Sequence, residues 1–150
     1  MDFLIGIFLG IFIEWNAHKY LLHNVPNRLF SKSHFSVHHK KCRKNNNFDD
    51  DYLNFPPTDL ENGLAEIVLL ISAVVATTPI MLFSFYLWLG LVFHAVVYYL
   101  LHRKSHIDVE WGKKWLPWHY DHHMGKNQNA NWGVTTPIFD WVFGTRKKRT

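Results

Sequence analysis

Histidine is the residue type whose number and spacing in this chain point to chemistry. Ten of the 11 histidines fall in two stretches, residues 18–39 and 102–123, and the remaining one, His94, lies between them. The ten are His18, His23, His34, His38, His39, His102, His106, His119, His122 and His123. Imidazole nitrogen is a common ligand of transition metals, so the two stretches predict a polynuclear metal site.

The spacings within the stretches favour two metal ions over one. His102 and His106 are four residues apart and share one helix face, as two ligands of a single ion require. His38 and His39 are adjacent, so on a helix they point about 100° apart and suit two neighbouring ions. His18 and His23 are five residues apart and also reach different ions unless their helix is distorted.

Other readings of these residues are less favourable. Ten packed imidazoles without a metal would repel one another when charged and leave buried donors unpaired when neutral. Cys42 is the single cysteine, which excludes a disulfide framework or a thiolate cluster, and no H-E-x-x-H or G-x-S-x-G motif occurs. His94 stands alone in an apolar run, where a histidine is usually a hydrogen-bonded core residue. We therefore do not assign it as a ligand, although a role beside the ligands or along a substrate tunnel stays open.

Three apolar runs must position the histidines. They cover residues 3–13, 64–77 and 80–101, and the last two predict a helical hairpin with a tight turn. The first run predicts a helix that continues to about His23 and is broken within residues 24–28, which contain Pro26. Residues 29–41 read as a short surface helix, residues 44–59 as a loop, and Asp59 or Asn62 as the cap of the next helix.

Composition supports a membrane protein with its working part outside the bilayer. The chain has 150 residues, of which 48% are hydrophobic and 17% aromatic, yet strongly polar blocks alternate with the apolar ones. We therefore predict a single all-α domain spanning residues 1–150. It is an integral membrane protein with about three transmembrane helices and a cytoplasmic helical cap that holds a dinuclear metal site.

The distribution of positive charge predicts the orientation. None of the 16 Lys and Arg residues lies in residues 1–13 or 64–101, so three membrane helices put all of them on one side. The positive-inside rule makes that side cytoplasmic, in a bacterial inner membrane or the endoplasmic reticulum. Membrane topology thus accounts for the net charge of +4, and no nucleic-acid partner is predicted.

The histidine motifs also carry a resemblance to a known family. H-x4-H, H-x3-H-H, H-x3-H and H-x2-H-H, in this order, resemble the histidine boxes of the fatty acid hydroxylase/sterol desaturase superfamily. The tail NWGVTTPIFDWVFGT resembles the segment that follows the last box, and AHKYLLH resembles the first box of bacterial carotenoid ring hydroxylases. In several lipid hydroxylases the third box sits in an H-Y-x-x-H context, which would align Tyr98 with His102 in place of His102 with His106.

The resemblance implies a membrane-bound oxygenase. It implies two iron ions, with zinc as the other metal that imidazole suits, and O2 as co-substrate. The electron donor would be an external cytochrome b5-type protein or a ferredoxin with its reductase. The reaction would be hydroxylation of a C–H bond of a fatty acyl, sterol or carotenoid lipid, with desaturation as the alternative.

An oxygenase of this kind also needs residues that orient the ligand rings and residues that line the substrate site. Asp121 and Asp140 are candidates to accept the free ring N–H of a ligand, the alternative being surface salt bridges. The substrate would lie among aromatic side chains of the second hairpin arm. These are Phe83, Phe85, Tyr86, Trp88, Phe93, Tyr98 and Tyr99. The alternative, favoured for most of them, is ordinary contact with the bilayer or with neighbouring helices.

Two functions of other classes stay open. A membrane metal transporter or store would hold its ligands within the membrane helices, whereas here the histidines lie at helix ends and beyond. A catalytically inactive relative acting as a scaffold is the second, and nothing in the intact boxes supports it.

Overall fold

The computed structural model describes residues 1–23 and 29–149, and in this part of the chain all regular structure is helical. The α-helices are α1 (Asp2–Asn16), α2 (Leu29–Ser31), α3 (Lys40–Lys44), α4 (Gly63–Thr77), α5 (Phe85–Ile107), α6 (Val109–Trp115), α7 (Pro117–Met124) and α8 (Ile138–Val142). Two π-helical segments, Ala17–His23 and Lys32–His39, extend α1 and join α2 to α3. Two 3₁₀ segments are Asp50–Leu53 and Thr78–Leu82.

The predicted continuation of the first helix to His23 is confirmed, and so is the helix after residue 29. The helix predicted over residues 29–41 extends to Lys44 as α2, the second π-helical segment and α3. The predicted loop that follows contains the 3₁₀ segment Asp50–Leu53. The predicted break at residues 24–28 lies outside the described residues.

The predicted hairpin is present, with different limits for its second arm. That arm begins at Phe85 rather than Ile80, because Thr78–Leu82 forms a 3₁₀ turn and Ser84 caps the new helix by accepting a hydrogen bond from the Leu87 N–H at 3.3 Å. It ends at Ile107 rather than Leu101, so α5 itself carries His102 and His106.

Within the described residues, two helical segments are long and apolar enough to cross a membrane, against the three spans predicted. They are Gly63–Leu82 and Phe85–Ile107. The 15-residue helix α1 falls short of that length by itself, although its π-helical extension lengthens it by 7 residues.

Helix α1 packs along α5 through glycines, and the two helices run parallel. A Cβ atom on Gly6 would collide with the backbone carbonyl of Leu87, and one on Gly90 would collide with that of Phe3. One turn further on, Gly10 lies against the side chain of His94. The G-x-x-x-G spacing of Gly6 and Gly10, which permits close approach of two helices, is the sequence signal for this contact. The contact places the carboxyl ends of α1 and α5, with their histidines, on the same side.

The first turn of α4 is held by a residue that the sequence reading did not identify. Asp51 accepts hydrogen bonds from the N–H groups of Gly63 at 2.9 Å, Thr58 at 3.2 Å and Asp59 at 3.3 Å. Asn62 occupies the N-cap position of α4, one of the two predicted, but its side chain makes no capping hydrogen bond because its amide donates to Asp49.

The C-terminal tail folds back onto the end of α1. Asp140 is fully buried and accepts hydrogen bonds from the Trp15 indole at 3.1 Å and from the N–H groups of Trp132 and Gly133, both at 2.9 Å. Its predicted role as a partner of a histidine ring is therefore wrong, and so is the alternative of a surface salt bridge. The tail resembling that of the hydroxylases thus acts as a clamp on the end of α1.

We predict that Gly6→Ala destabilises the protein by about 1–3 kcal/mol, since the added methyl group must push α1 away from the α5 backbone. Thermal unfolding in detergent, followed by circular dichroism, measures the effect. Leu4→Ala, at a position of α1 that is 64% exposed, is the matched control and should leave the melting temperature nearly unchanged. Equal melting temperatures for wild type and Gly6→Ala would contradict the close glycine contact.

Candidate metal centre

All ten histidines of the two stretches converge on one region at the carboxyl ends of α1 and α5. Their rings pack against each other across the chain, with centroid distances of 4.5 Å between His18 and His122 and between His38 and His106. Nine of the ten are buried, with at most 8% of their surface exposed, and His23 is partly buried.

The first histidine group consists of His18, His23, His34, His39 and His122, whose ring nitrogens lie within 4.8 Å of one another. The Nε2 atom of His34 lies 2.9 Å from that of His18 and 3.2 Å from that of His39. The Nε2 atom of His122 lies 3.1 Å from that of His39. Four Nε2 atoms from three parts of the chain therefore point to a common centre.

The second histidine group lies beside the first. It contains His38, His102, His106 and His123, again with ligand atoms within 4.8 Å of one another. His119 adjoins it, because its Nε2 atom lies 3.2 Å from that of His106. His38 and His39 are thus divided between the groups, as predicted for neighbouring residues on a helix, and His122 and His123 are divided in the same way.

The two π-helical segments explain where the spacing argument was wrong. His18 and His23 were expected to diverge unless their helix is distorted. In the structure His23 joins His18, and His34 joins His39, each five residues apart. A π-helix closes its hydrogen bonds between residues i and i+5, which brings such pairs onto one face. Both pairs lie within the π-helical segments, which is the distortion that the first pair required.

Hydrogen bonds from the outward ring nitrogens to backbone carbonyls determine which nitrogen of several rings carries the proton. The Nδ1 atoms of His18 and His122 lie 2.6 Å from the carbonyl oxygens of Trp132 and Ala130, and Nδ1 of His106 lies 2.9 Å from that of Asn47. A carbonyl oxygen only accepts, so Nδ1 carries the proton and Nε2 of the neutral ring keeps a lone pair. These lone pairs point inward to the two groups.

Three further rings are held by side chains that the sequence reading missed. Nδ1 of His38 lies 3.0 Å from the Asp49 carboxylate, and Nδ1 of His102 lies 2.6 Å from the Glu66 carboxylate. Nδ1 of His39 lies 3.1 Å from the side-chain oxygen of Gln128. Glu66 had a detectable signal, because a carboxylate inside an apolar helix calls for a functional explanation. Asp49 and Gln128 had none, since both lie in polar loops.

Asp121, one of the two predicted ring partners, instead pairs with Arg146 at 2.9 Å. The salt-bridge alternative is therefore the correct one for this residue. It ties α7 to the basic tail.

Burial keeps these imidazoles neutral. Loss of solvation lowers the pKa of His34, His39, His122 and His123 well below the ordinary value, and neighbouring histidines lower it further. Neutral rings with converging lone pairs about 3 Å apart repel one another, and a cation between them removes the repulsion. The donor set therefore fits two transition-metal ions bound by nitrogen.

A third set of potential ligands, His38, Cys42 and Asp49, does not fit a metal ion. Asp49 is already occupied by Lys41 at 2.8 Å and by Asn62 at 2.8 Å, besides His38. Burial raises the pKa of the Cys42 thiol well above its ordinary value, and a protonated thiol is a poor ligand.

An apolar cavity of about 290 Å³ leads from the first histidine group into the space between α1, α4 and α5. Its wall includes His18, His34 and His38 at one end and Val74 and Thr77 of α4 at the other. Of the seven aromatic residues expected around the substrate, Tyr98 alone lines this cavity. Phe83, Phe85, Tyr86 and Phe93 are exposed, at 49–90% of their surface, on the outside of the helices.

Comparison with known proteins agrees with this site. The model of the fatty acid hydroxylase family matches residues 3–145. The chain belongs to the fatty acid hydroxylase family. Among curated proteins it is 27% identical to a dihydroceramide fatty acyl 2-hydroxylase of Arabidopsis thaliana, over 93% of this chain and 58% of the plant protein. It is 25% identical to a fatty acid 2-hydroxylase of Mus musculus, over 95% of this chain and 38% of the mouse protein.

The chain thus spans about two fifths to three fifths of the length of these two hydroxylases. No solved structure matches it.

The geometry also bears on the third histidine box of this family member. His106 lies within the second group, whereas Tyr98 stacks on the ring of His102 with centroids 5.6 Å apart and faces the cavity. The pairing of His102 with His106 is therefore the arrangement that the structure favours.

We predict that the hydroxylase-family chain binds two metal ions, one at each histidine group. Protein purified without oxygen and supplied with iron should contain about two ions per chain by inductively coupled plasma mass spectrometry. His122→Ala should reduce this number, because it removes a ligand of the first group. His94→Ala is the matched control and should keep both ions, since His94 belongs to neither group. A ratio of one ion per chain in the unaltered protein would contradict the two-group arrangement.

We also predict that acid destabilises the metal-free protein. The folded-state pKa values of the buried histidines lie below the ordinary value of about 6.5, which the unfolded chain retains. Below that pH the unfolded chain binds protons that the folded chain does not, so stability is present above about pH 6.5 and falls as the pH drops. Each such histidine contributes up to about 1.4 kcal/mol per pH unit. Thermal unfolding between about pH 8 and pH 5 measures the slope, and a flat profile would contradict it.

Proposed function

We propose that the protein is a membrane-bound oxygenase that hydroxylates a C–H bond of a lipid acyl chain. The observation that carries this proposal is the apolar cavity whose wall is formed, at one end, by the buried histidines of the candidate metal centre. A metal transporter or store needs no such hydrocarbon-lined space beside its ligands. The names of the two similar proteins, a dihydroceramide fatty acyl 2-hydroxylase and a fatty acid 2-hydroxylase, agree with an acyl substrate.

The ligands in this proposal are the nine histidines of the two groups together with the adjoining His119. Two iron ions bound there would supply the activation of O2, with electrons from an external cytochrome b5-type protein or a ferredoxin and its reductase. The chain's own residues hold these ligands in place. Asp49 and Glu66 fix the rings of His38 and His102, and the backbone carbonyls of Ala130 and Trp132 fix those of His122 and His18.

The cavity would bind and orient the chain to be oxidised. Leu69, Leu70, Val74 and Leu91 provide an apolar wall that excludes water from the reaction. The part of α4 along it, from Ala65 to Thr77, is about 18 Å long at 1.5 Å per residue. An extended acyl segment fits such a length, with one carbon held close to the histidine groups.

The proposed orientation places α1, α4 and α5 in the membrane and the histidine groups at its cytoplasmic face. Because α1 and α5 are parallel and α4 runs in the opposite direction, all three are consistent with crossing the same bilayer. The side chains of Val68, Ile71 and Val75 on α4 are 41%, 59% and 64% exposed, as expected for a surface in contact with lipid. Basic residues flank the histidine end, which the positive-inside rule assigns to the cytoplasm.

The test is lipid profiling by mass spectrometry of cells that express the protein. Expression should produce acyl chains heavier by one oxygen. If the protein has the regiospecificity that the names of its relatives state, fragmentation should place the new hydroxyl on the carbon next to the carboxyl group. The His123→Ala variant, expressed to the same level, should lose at least about 90% of the product, because removing a metal ligand typically costs tenfold or more. Product chains lighter by two hydrogens would indicate desaturation instead. An unchanged lipid profile, in cells where the protein carries iron, would contradict an oxygenase function.

A further inference from the structure

One polar pair lies in the cavity wall apart from the two histidine groups. Glu14, at the end of α1, and His94, in the middle of α5, are both buried, with 9% and 6% of their surface exposed, and both line the cavity. Their neighbours in this part of the wall, including Gly10, Ile13 and Leu91, are apolar. His94 belongs to neither histidine group, so metal binding leaves it without a role.

The surroundings of Glu14 fix it as an acceptor. Its carboxylate receives the N–H groups of Val134 at 2.5 Å and Thr135 at 3.0 Å, and the Thr135 hydroxyl at 2.7 Å. Nε2 of His94 lies 3.0 Å from the Oε2 atom of the same carboxylate. Two unprotonated acceptor atoms at this distance would repel each other, so the ring proton of His94 belongs on Nε2.

This assignment leaves a free acceptor in the cavity. When Nε2 of an uncharged imidazole carries the proton, Nδ1 has a lone pair. Nδ1 of His94 makes no hydrogen bond to any of the described residues. Gly10 packs against the opposite edge of the ring, where a Cβ atom would lie 2.7 Å from Cδ2 of His94. An acceptor in an apolar cavity wall is unfavourable without a donor, and a ligand that donates to it gains accordingly.

We propose that the cavity selects a lipid with a hydroxyl group that donates a hydrogen bond to Nδ1 of His94. His94 is then a residue that determines specificity, and the inference rests on the proposed lipid hydroxylation. The histidines that line the cavity are His18, His34 and His38. Glu14, which lies 3.0 Å from His94, is four residues before His18, about 6 Å along the helix. The recognised hydroxyl group therefore lies about one helical turn from the carbon presented to the histidines.

Binding measured without turnover tests this proposal. The probes are stearate and its monohydroxylated isomers, with the hydroxyl at successive carbons, competing for the iron-loaded protein in detergent without an electron donor. Isomers hydroxylated within one window of positions should bind about tenfold more tightly than stearate, as expected when a pocket polar group finds its partner. The corresponding ketones cannot donate and should show no gain.

Variants separate recognition from a structural role of the pair. His94→Leu should remove the preference for hydroxylated isomers, whereas His94→Gln, which retains an acceptor and a donor, should keep much of it. Leu91→Ala, on the same wall, should change the affinities of all probes together and leave their ratio unchanged. Equal affinities of stearate and every isomer for the unaltered protein would overturn the proposal, as would a preference that survives His94→Leu. Because no turnover is needed, a binding preference without any oxidised product would refute the oxygenase function alone.

Discussion

Repulsion among buried imidazole lone pairs governs how this protein is organised. Backbone carbonyls at His18, His106 and His122 hold the outward Nδ1–H groups, so the inward nitrogens have no proton to share. Burial removes the alternative of charging the rings. The region is stable only if cations occupy it or if the surrounding fold is strong enough to hold the rings together. Metal binding and folding are therefore expected to be linked.

The surrounding fold meets this constraint by joining distant segments. Residues 18–39 and 102–123 are held together by the parallel packing of α1 on α5, which needs glycine at positions 6 and 90. Arg43 adds a second link, because its guanidinium group donates to the carbonyl oxygens of His123 at 2.8 Å and Gly125 at 2.9 Å. The C-terminal tail supplies a third link, because the buried Asp140 accepts a hydrogen bond from the indole of Trp15 in α1.

The same contacts shape the cavity beside the metal centre. Glu14 binds the tail through Val134 and Thr135, approaches His94 of α5, and lines the cavity. Glu66 likewise belongs both to the cavity wall and to the surroundings of His102. Glu66 thus connects the orientation of His102 to the cavity wall, and Glu14 connects the C-terminal tail to it. An apolar residue at either position would leave backbone donors or a ring nitrogen unpaired.

The sequence by itself determined the histidine set, the helical class, the hairpin and the family resemblance. It did so because spacing along one helix, apolar runs and short motifs are local properties. Prediction from the sequence failed where a residue's position depends on contacts between distant segments. The π-helical turns that bring His23 to His18 and His39 to His34 have no simple composition signal, since they depend on what the rings meet. The partners Asp49, Gln128 and Glu14 come from loops and a helix end whose positions only packing sets. Tertiary structure alone also decided the cavity lining, because most of the predicted aromatic residues face outward from the helix pair that forms it.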